Sequence, residues 1–252
     1  MRSEIRYSDI ESKILKNQLK SRELLKDKTD LFLNFFNIQQ ELFHINYPGI
    51  FDPYYFLQEY ERIIIQSYFK NIYLLFTCHN LILSGNYGAA NILQRQIFEF
   101  LLLGKFVCLK KDNEKAIKWL SRKQFDVYDN IIKLLEKPNK KSFHDLWIIL
   151  CSYSHATTSS YQIGFNFKEN KTNIFGSYII LLLFTRCNYH LLNSQFLNKR
   201  LLYRSNYYGS NTTKNKELKL RASNLKKSIL ELFSDEGKKI ICDYESTWAF
   251  KK

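Results

Sequence analysis

Five residues, Ser84-Gly85-Asn86-Tyr87-Gly88, stand between two long apolar stretches and dictate how the chain runs there. Glycine and asparagine tolerate positive φ and end helices, and Ala89, Ala90 and Leu93 restart a helical pattern directly afterwards. The segment from Cys78 to Leu109 therefore reads as a helix end, a tight turn and a long buried helix. Within that second helix Arg95 and Glu99 are four residues apart and share a face, while Ile92, Leu93, Ile97, Phe100, Leu101 and Leu103 occupy most of the rest. Two charges in such surroundings mark a first candidate site.

Chain breakers are scarce elsewhere as well. Only 8 Gly and 3 Pro occur in 252 residues, which favours long helices over many short strands and predicts a mostly α-helical chain. A hydrophobic share of 45%, with 16% aromatic, is ample for a packed core and excludes a disordered protein.

Residues 1–28 are polar, with Ile10, Ile14, Leu15, Leu19, Leu24 and Leu25 as a narrow stripe, and read as an N-terminal helical arm suited to a partner. Thr29 is the expected cap of a denser helix bearing Leu31, Phe32, Leu33, Phe35, Phe36, Ile38, Leu42 and Phe43, which stops at Asn46-Tyr47-Pro48-Gly49. Asp52-Pro53 opens a helix that runs to about Leu83, with Gln66-Ser67 or Lys70-Asn71 as places where it bends or divides. After the central helix, Asp112 or Asn113 caps one from Ala116 to Leu135 that ends before Pro138. Ser142-Phe143-His144-Asp145 has the form of a capping box, opens Leu146–Cys151 and leads into Ser152-Tyr153-Ser154-His155. A long loop over 157–173, a buried helix over 174–198, an irregular stretch over 201–214 and a basic amphipathic helix over 215–234 complete the reading. No Pro/Gly/Ser-rich linker and no internal repeat divides the chain. The expected organisation is an arm over 1–28, a helical bundle over 29–198 and a basic C-terminal helical extension over 199–252.

The formal net charge of +14 is regional. Residues 1–60 hold 8 Lys/Arg against 9 Asp/Glu, whereas 105–141 hold 11 against 5 and 198–252 hold 13 against 6. Basic patches attract polyanions by counterion release, so RNA or DNA heads the expected partners, with acidic proteins and membrane surfaces behind. Compositional drift in a Lys/Asn/Ile-rich chain is the competing account. Lys110, Lys111, Lys115, Lys118, Arg122 and Lys123 lie on a short break and the first turns of one helix, where i, i+3 and i+4 spacing groups several on a face. Cysteines 78, 108, 151, 187 and 242 are odd in number, widely spaced and mostly inside apolar runs, which predicts buried free thiols and no metal-ligand set. The start carries no apolar signal core, and the most apolar run, Tyr178–Phe184, is too short to span a bilayer, so a cytoplasmic protein is expected.

The stretch Gly85-Asn86-Tyr87-Gly88-Ala89-Ala90-Asn91-Ile92-Leu93-Gln94-Arg95-Gln96-Ile97-Phe98-Glu99-Phe100 resembles the turn and Arg-x-x-x-Glu helix of a little-characterised bacterial family of all-helical proteins. That family's second mark, a Ser-x-x-His-like element, is matched by Ser152-Tyr153-Ser154-His155, whose His lies 60 residues after Arg95. The family is similar in layout to HEPN bundles, the nucleotide-binding and ribonuclease domains common in toxin–antitoxin, abortive-infection and CRISPR-associated systems. The resemblance covers residues 60–195. It implies an all-α, HEPN-like up-and-down helical bundle with extra N- and C-terminal helices, and a nucleic-acid-associated role in a prokaryotic defence or toxin–antitoxin-type system.

HEPN ribonucleases carry an Arg followed by four to six residues and then a His, and nothing basic precedes His155 at that spacing. Arg186 and His190 come near it with three intervening residues, which puts them on one helix face and reads first as an interfacial pair. For catalysis, His155 would serve as general acid or base, Arg95 would hold phosphate and Glu99 would orient either one, with Ser154 counted in the same set, without metal or cofactor. The alternative is a non-catalytic helical subunit in which Arg95–Glu99 is a buried ion pair with Ser154 and His155 bonded across to it. A nucleotide sensor ranks lower, since no glycine-rich phosphate loop is present. His44, His79 and His144 lack partners at informative spacing, although His79 is near enough to the turn to join the cluster. A protein partner from the same operon and a homodimer are both compatible with the sequence.

Overall fold

The computed structural model describes residues 7–46, 59–111, 113–121, 126–137, 139–154, 171–193 and 212–250. Their helices, in chain order, are α1 (Tyr7–Asn46), α2 (Glu59–Leu83), α3 (Tyr87–Lys110), α4 (Asn113–Leu120), α5 (Val127–Asn130), a 3-10 turn (Ile132–Leu134), α6 (Asn139–Ser154), α7 (Lys171–Leu192), α8 (Thr212–Glu231) and α9 (Asp235–Glu245). Among the described residues there is no strand, and one isolated antiparallel bridge joins Leu135 to Phe250.

α3 is the helix around which the others gather. Ile97, Phe98, Leu101, Leu102, Leu103, Phe106 and Val107 are all buried, and seven successive buried positions from Leu101 to Val107 mean that the helix is covered on every side there. α2 packs along one side. Its close approach depends on Gly104, where a Cβ would stand 3.2 Å from the Ser67 Cβ and 2.9 Å from Leu191 Cδ2. α6 and α7 cover the other sides, with Phe98 stacked on Phe184 at 5.8 Å and edge-on to Phe143 at 6.3 Å. The α2–α3 turn falls at the predicted residues. Gly85 adopts φ 78°, and a Cβ there would lie 2.8 Å from the Asn17 Cβ of α1, so both backbone angle and space call for glycine.

α1 runs antiparallel to α2, pairing Phe43 with Tyr68, Phe36 with Phe76 and Phe32 with His79. Thr29 does not cap it. The stripe of buried Asn17, Ser21, Leu25 and Phe32 passes through that position without a break, so one 40-residue helix forms. The Ser21 hydroxyl meets that of Tyr87 and donates to the Asn17 carbonyl at 2.7 Å, which ties α1 to the start of α3. In the middle of the bundle, Gln39 of α1, Asn188 of α7 and Asn71 of α2 form a buried amide ladder: Asn71 Nδ2 donates to Asn188 Oδ1 and Asn188 Nδ2 to Gln39 Oε1, each at 3.3 Å.

Other boundaries differ from the sequence reading. α2 continues undivided through Gln66-Ser67 and Lys70-Asn71, because Ser67 and Asn71 point into the core; its expected start at Asp52-Pro53 lies outside the described residues. The helix expected from Ala116 to Leu135 is broken: Asp126 caps a new turn by accepting from the Asp129 N–H at 2.9 Å, and Val127, Ile131, Ile132 and Leu135 are buried from short turns. α6 begins at Asn139, so Ser142 lies inside it and bonds the Asp243 carboxylate of α9 rather than capping. α8 starts at Thr212, earlier than the expected 215, and the loop expected over 157–173 lies outside the described residues up to 170. Among the thiols Cys78 and Cys187 are buried, but Cys242 is exposed on α9.

Candidate functional site

The charges of α3 meet α6. Arg95 Nε donates to Glu99 Oε1 at 3.1 Å, one turn along the same helix face, with side chains 25% and 32% exposed. The guanidinium also lies over the Trp147 ring of α6, 5.0 Å from its centroid, a cation–π contact that fixes the fork against the second helix. Burial pushes the Glu99 carboxyl above its usual value, an effect partly offset by Arg95. Cys151, one turn beyond Trp147, is within electrostatic reach of Arg95, Glu99 and Asp126, and burial raises its thiol. The local chemistry is a half-exposed Arg–Glu pair roofed by an indole, with a thiol beside it. Such a set can hold an anion or a planar group only if Arg95 turns from Glu99, or it can simply clamp α3 to α6.

Ser154 ends α6, and its side chain lies outside the described residues, as does the whole of His155. The structure thus brings Arg95 and Glu99 together and adds Trp147, Cys151 and Asp126, which the sequence reading did not single out. Trp147 and Cys151 carried a usable signal, since they are four apart on α6 and share the face that leads to Ser154.

The lysines after α3 form a corner. Lys110 and Lys111 end that helix, with Lys111 at φ 51° and its N–H bonded to the Val107 carbonyl at 2.7 Å. Lys110 Nζ lies 4.1 Å from the Phe250 centroid and Lys115 Nζ 4.7 Å from that of Phe106. Lys110, Lys111 and Lys118 are exposed and Lys115 is half-buried, whereas Arg122 and Lys123 lie outside the described residues. Cations at a helix C-terminus also complement its dipole, so the corner stabilises the end of α3. The Asn113 side chain accepts from the Tyr60 N–H at 3.3 Å, which places this corner beside the start of α2.

Arg186 and His190 belong to a different place, the junction of α7 with α8 and α9. Arg186 donates to both carboxylate oxygens of Glu245, at 2.8 and 3.1 Å, and to the Lys226 carbonyl at 2.6 Å. His190 packs edge-on to Tyr244 at 5.9 Å, and burial foremost, with the Lys105 cation next, brings it down to about 4. Lys105 itself is buried, with Nζ over the rings of Tyr244 and Trp248 at 4.8 and 4.9 Å and donating to the Ser246 carbonyl at 2.7 Å; burial lowers it to about 8. Apart from the bond to the Lys226 carbonyl of α8, these donors are aimed at α9 and the turn after it, which makes this a docking network for α9.

Among the described residues no group of three or more His, Cys, Asp or Glu is placed to hold a metal ion, and no helix is long and apolar enough to cross a membrane. No family model matches the chain, and no curated protein or solved structure matches it either.

Proposed function

We propose that this chain is a nucleic-acid-associated helical module of a prokaryotic defence or toxin–antitoxin-type system, acting by binding. The observation that carries the binding reading is the α3–α4 corner: Lys110, Lys111 and Lys118 are exposed, adjoin Lys115, and have no ion-pair partner among the described residues. The three exposed ammonium groups on this corner can each displace a condensed counterion from a phosphate backbone, which favours association without sequence readout. The systems context rests on the resemblance of the Gly85–Phe100 turn and helix to the HEPN-like family. Expected is salt-sensitive binding of a labelled RNA that Lys115→Glu with Lys118→Glu weakens severalfold. Unchanged affinity in that variant would sink the assignment to this corner.

The second reading, metal-independent RNA cleavage at Arg95, Glu99, Ser154 and His155, is favoured by one feature: burial raises the Glu99 carboxyl above its usual value beside a guanidinium, in a half-exposed position. The engagement of Arg95 by both Glu99 and Trp147 weighs on the side of binding. His155→Ala separates the two. A catalytic His supplies about a hundredfold or more in rate, so cleavage should fall by that much with an unchanged melting temperature, whereas a structural His lowers the melting temperature and leaves no cleavage to lose.

A further inference from the structure

The solvent-facing stripe of α2 has a composition of its own. Arg62, Gln66, Lys70, Tyr73, Phe76 and Asn80 are each exposed at or near helical spacing, over about 27 Å of helix. Two of them are large aromatics, Tyr73 at 65% exposure and Phe76 at 45%. Single exposed aromatics are ordinary on protein surfaces, but here two lie one turn apart with a cation between Gln66 and Tyr73: Lys70 Nζ is 5.9 Å from the Tyr73 centroid. Phe76 is held in place from within, its ring 5.7 Å from that of Phe36 and 6.3 Å from that of His79. The chain carries no Asp or Glu from Arg62 to Phe98, so α2 offers a polyanion no acidic side chain after Glu61. At its start, α2 adjoins the lysine corner through the Tyr60–Asn113 hydrogen bond, although Arg62 there is already paired with Glu59 at 3.7 Å.

We infer that this stripe is a stacking platform for single-stranded nucleic acid, with bases lying on Tyr73 and Phe76 while Lys70 and the lysine corner neutralise the backbone. The inference rests on the binding reading above and narrows it to unpaired strands, because a duplex keeps its base faces covered. An aromatic face accepts any base, so the surface selects for strand state and not for sequence. A second copy of this chain is the competing occupant of two exposed rings, and the absence of acid from α2 after Glu61 speaks against it, since a symmetric contact around these rings would offer Lys70 no acidic partner on the facing stripe.

The test is fluorescence anisotropy with a short labelled oligouridine, its abasic counterpart of equal charge, and the Tyr73→Ala and Tyr73→Trp variants. Tyr73 is exposed enough for either substitution to leave the fold intact. Expected is a loss of about five- to tenfold for Tyr73→Ala on oligouridine, in line with the energy of one stacked base. Tyr73→Trp should restore binding, and the abasic strand should bind all three proteins alike. Equal affinity of wild type and Tyr73→Ala, or equal binding of the abasic and normal strands to wild type, overturns the stacking surface. If affinity then still falls with Lys118→Glu, the broader binding reading survives alone; if no strand binds even at low salt, both fall. A dimer seen by sedimentation that Tyr73→Ala dissolves, with oligouridine affinity unchanged, assigns the stripe to a second copy and overturns the inference.

Discussion

His79 is 3% exposed, with Nδ1 2.9 Å from the Tyr178 hydroxyl and its ring stacked on Phe32 at 4.5 Å. Burial lowers its pKa from 6.5 to about 4. Between those values the unfolded chain binds more protons than the folded one, so stability is present in full above 6.5 and is lost as the pH falls toward 4. His190 acts in the same window and sense. Glu99 acts oppositely: its raised carboxyl makes the folded state bind the extra proton, which stabilises as the pH drops toward its ordinary value. The histidine effect is the larger. A single shift of this size is worth at most roughly 3 kcal/mol, so the melting temperature should fall steeply between pH 6.5 and 4.5, and His79→Gln should flatten part of that fall. A profile for His79→Gln parallel to wild type would show that His79 is not the group responsible. Nothing within ten residues of His79 announced this role, because Phe32 and Tyr178 reach it from α1 and α7 across the bundle.

The same contrast between near and far holds for whole helices. Turn chemistry is local, so the α2–α3 hairpin and the central standing of α3 were legible from Gly85, Asn86 and the apolar run after Ala89. Thr29 misled because a local cap signal loses to a buried stripe that continues on both sides of it. The long helix expected after Asn113 failed for a related reason: Val127, Ile131 and Leu135 have helical spacing, yet α4 stops at Leu120 and Asp126 caps a separate short turn. α9 falls inside the helical extension expected over 199–252 but was not read as a helix of its own. Its anchors are Glu245, Tyr244 and Trp248, and their partners Arg186, Leu101 and Lys105 lie far back in the chain. The Ser234 cap, which accepts from the Gly237 N–H, and the apolar residues Ile240 and Ile241 were the available signals. The docking of this helix is testable. Arg186→Ala leaves Glu245 inside the junction with Lys226, at 3.4 Å, as its one remaining ion-pair partner among the described residues, and removing one member of a buried pair costs about 3 kcal/mol or more. Arg186→Met with Glu245→Leu removes both charges and should recover most of that loss, measured by denaturant unfolding. If the double variant is as unstable as the single one, the network contributes specific bonding that apolar packing does not replace.

For the molecule as a whole, an excess of 14 positive charges sets two responses to salt that should run in opposite directions. Like charges spread over one small surface repel, which weakens the compact state at low ionic strength. Raising salt shortens the screening distance to about 10 Å at 0.1 M and below that at higher concentration, so the repulsion fades while the buried Arg186–Glu245 pair is little affected. The melting temperature should therefore rise as sodium chloride is raised from low to moderate concentration. Strand binding should move the other way. If Lys110, Lys111 and Lys118 each neutralise one phosphate of a single strand, the logarithm of the association constant should fall against that of salt with a slope of about −2, and Lys118→Glu should make the slope shallower. A stability gain with salt but a flat binding curve would mean that the charge excess burdens the fold without serving a polyanion, and the corner would then be a helix terminus and nothing more. Slopes that change with Lys118→Glu but not with Tyr73→Ala would place the phosphates at the α3–α4 corner and leave the α2 stripe to the bases, the division of labour that positions of charge and aromatic rings on these two helices lead us to expect.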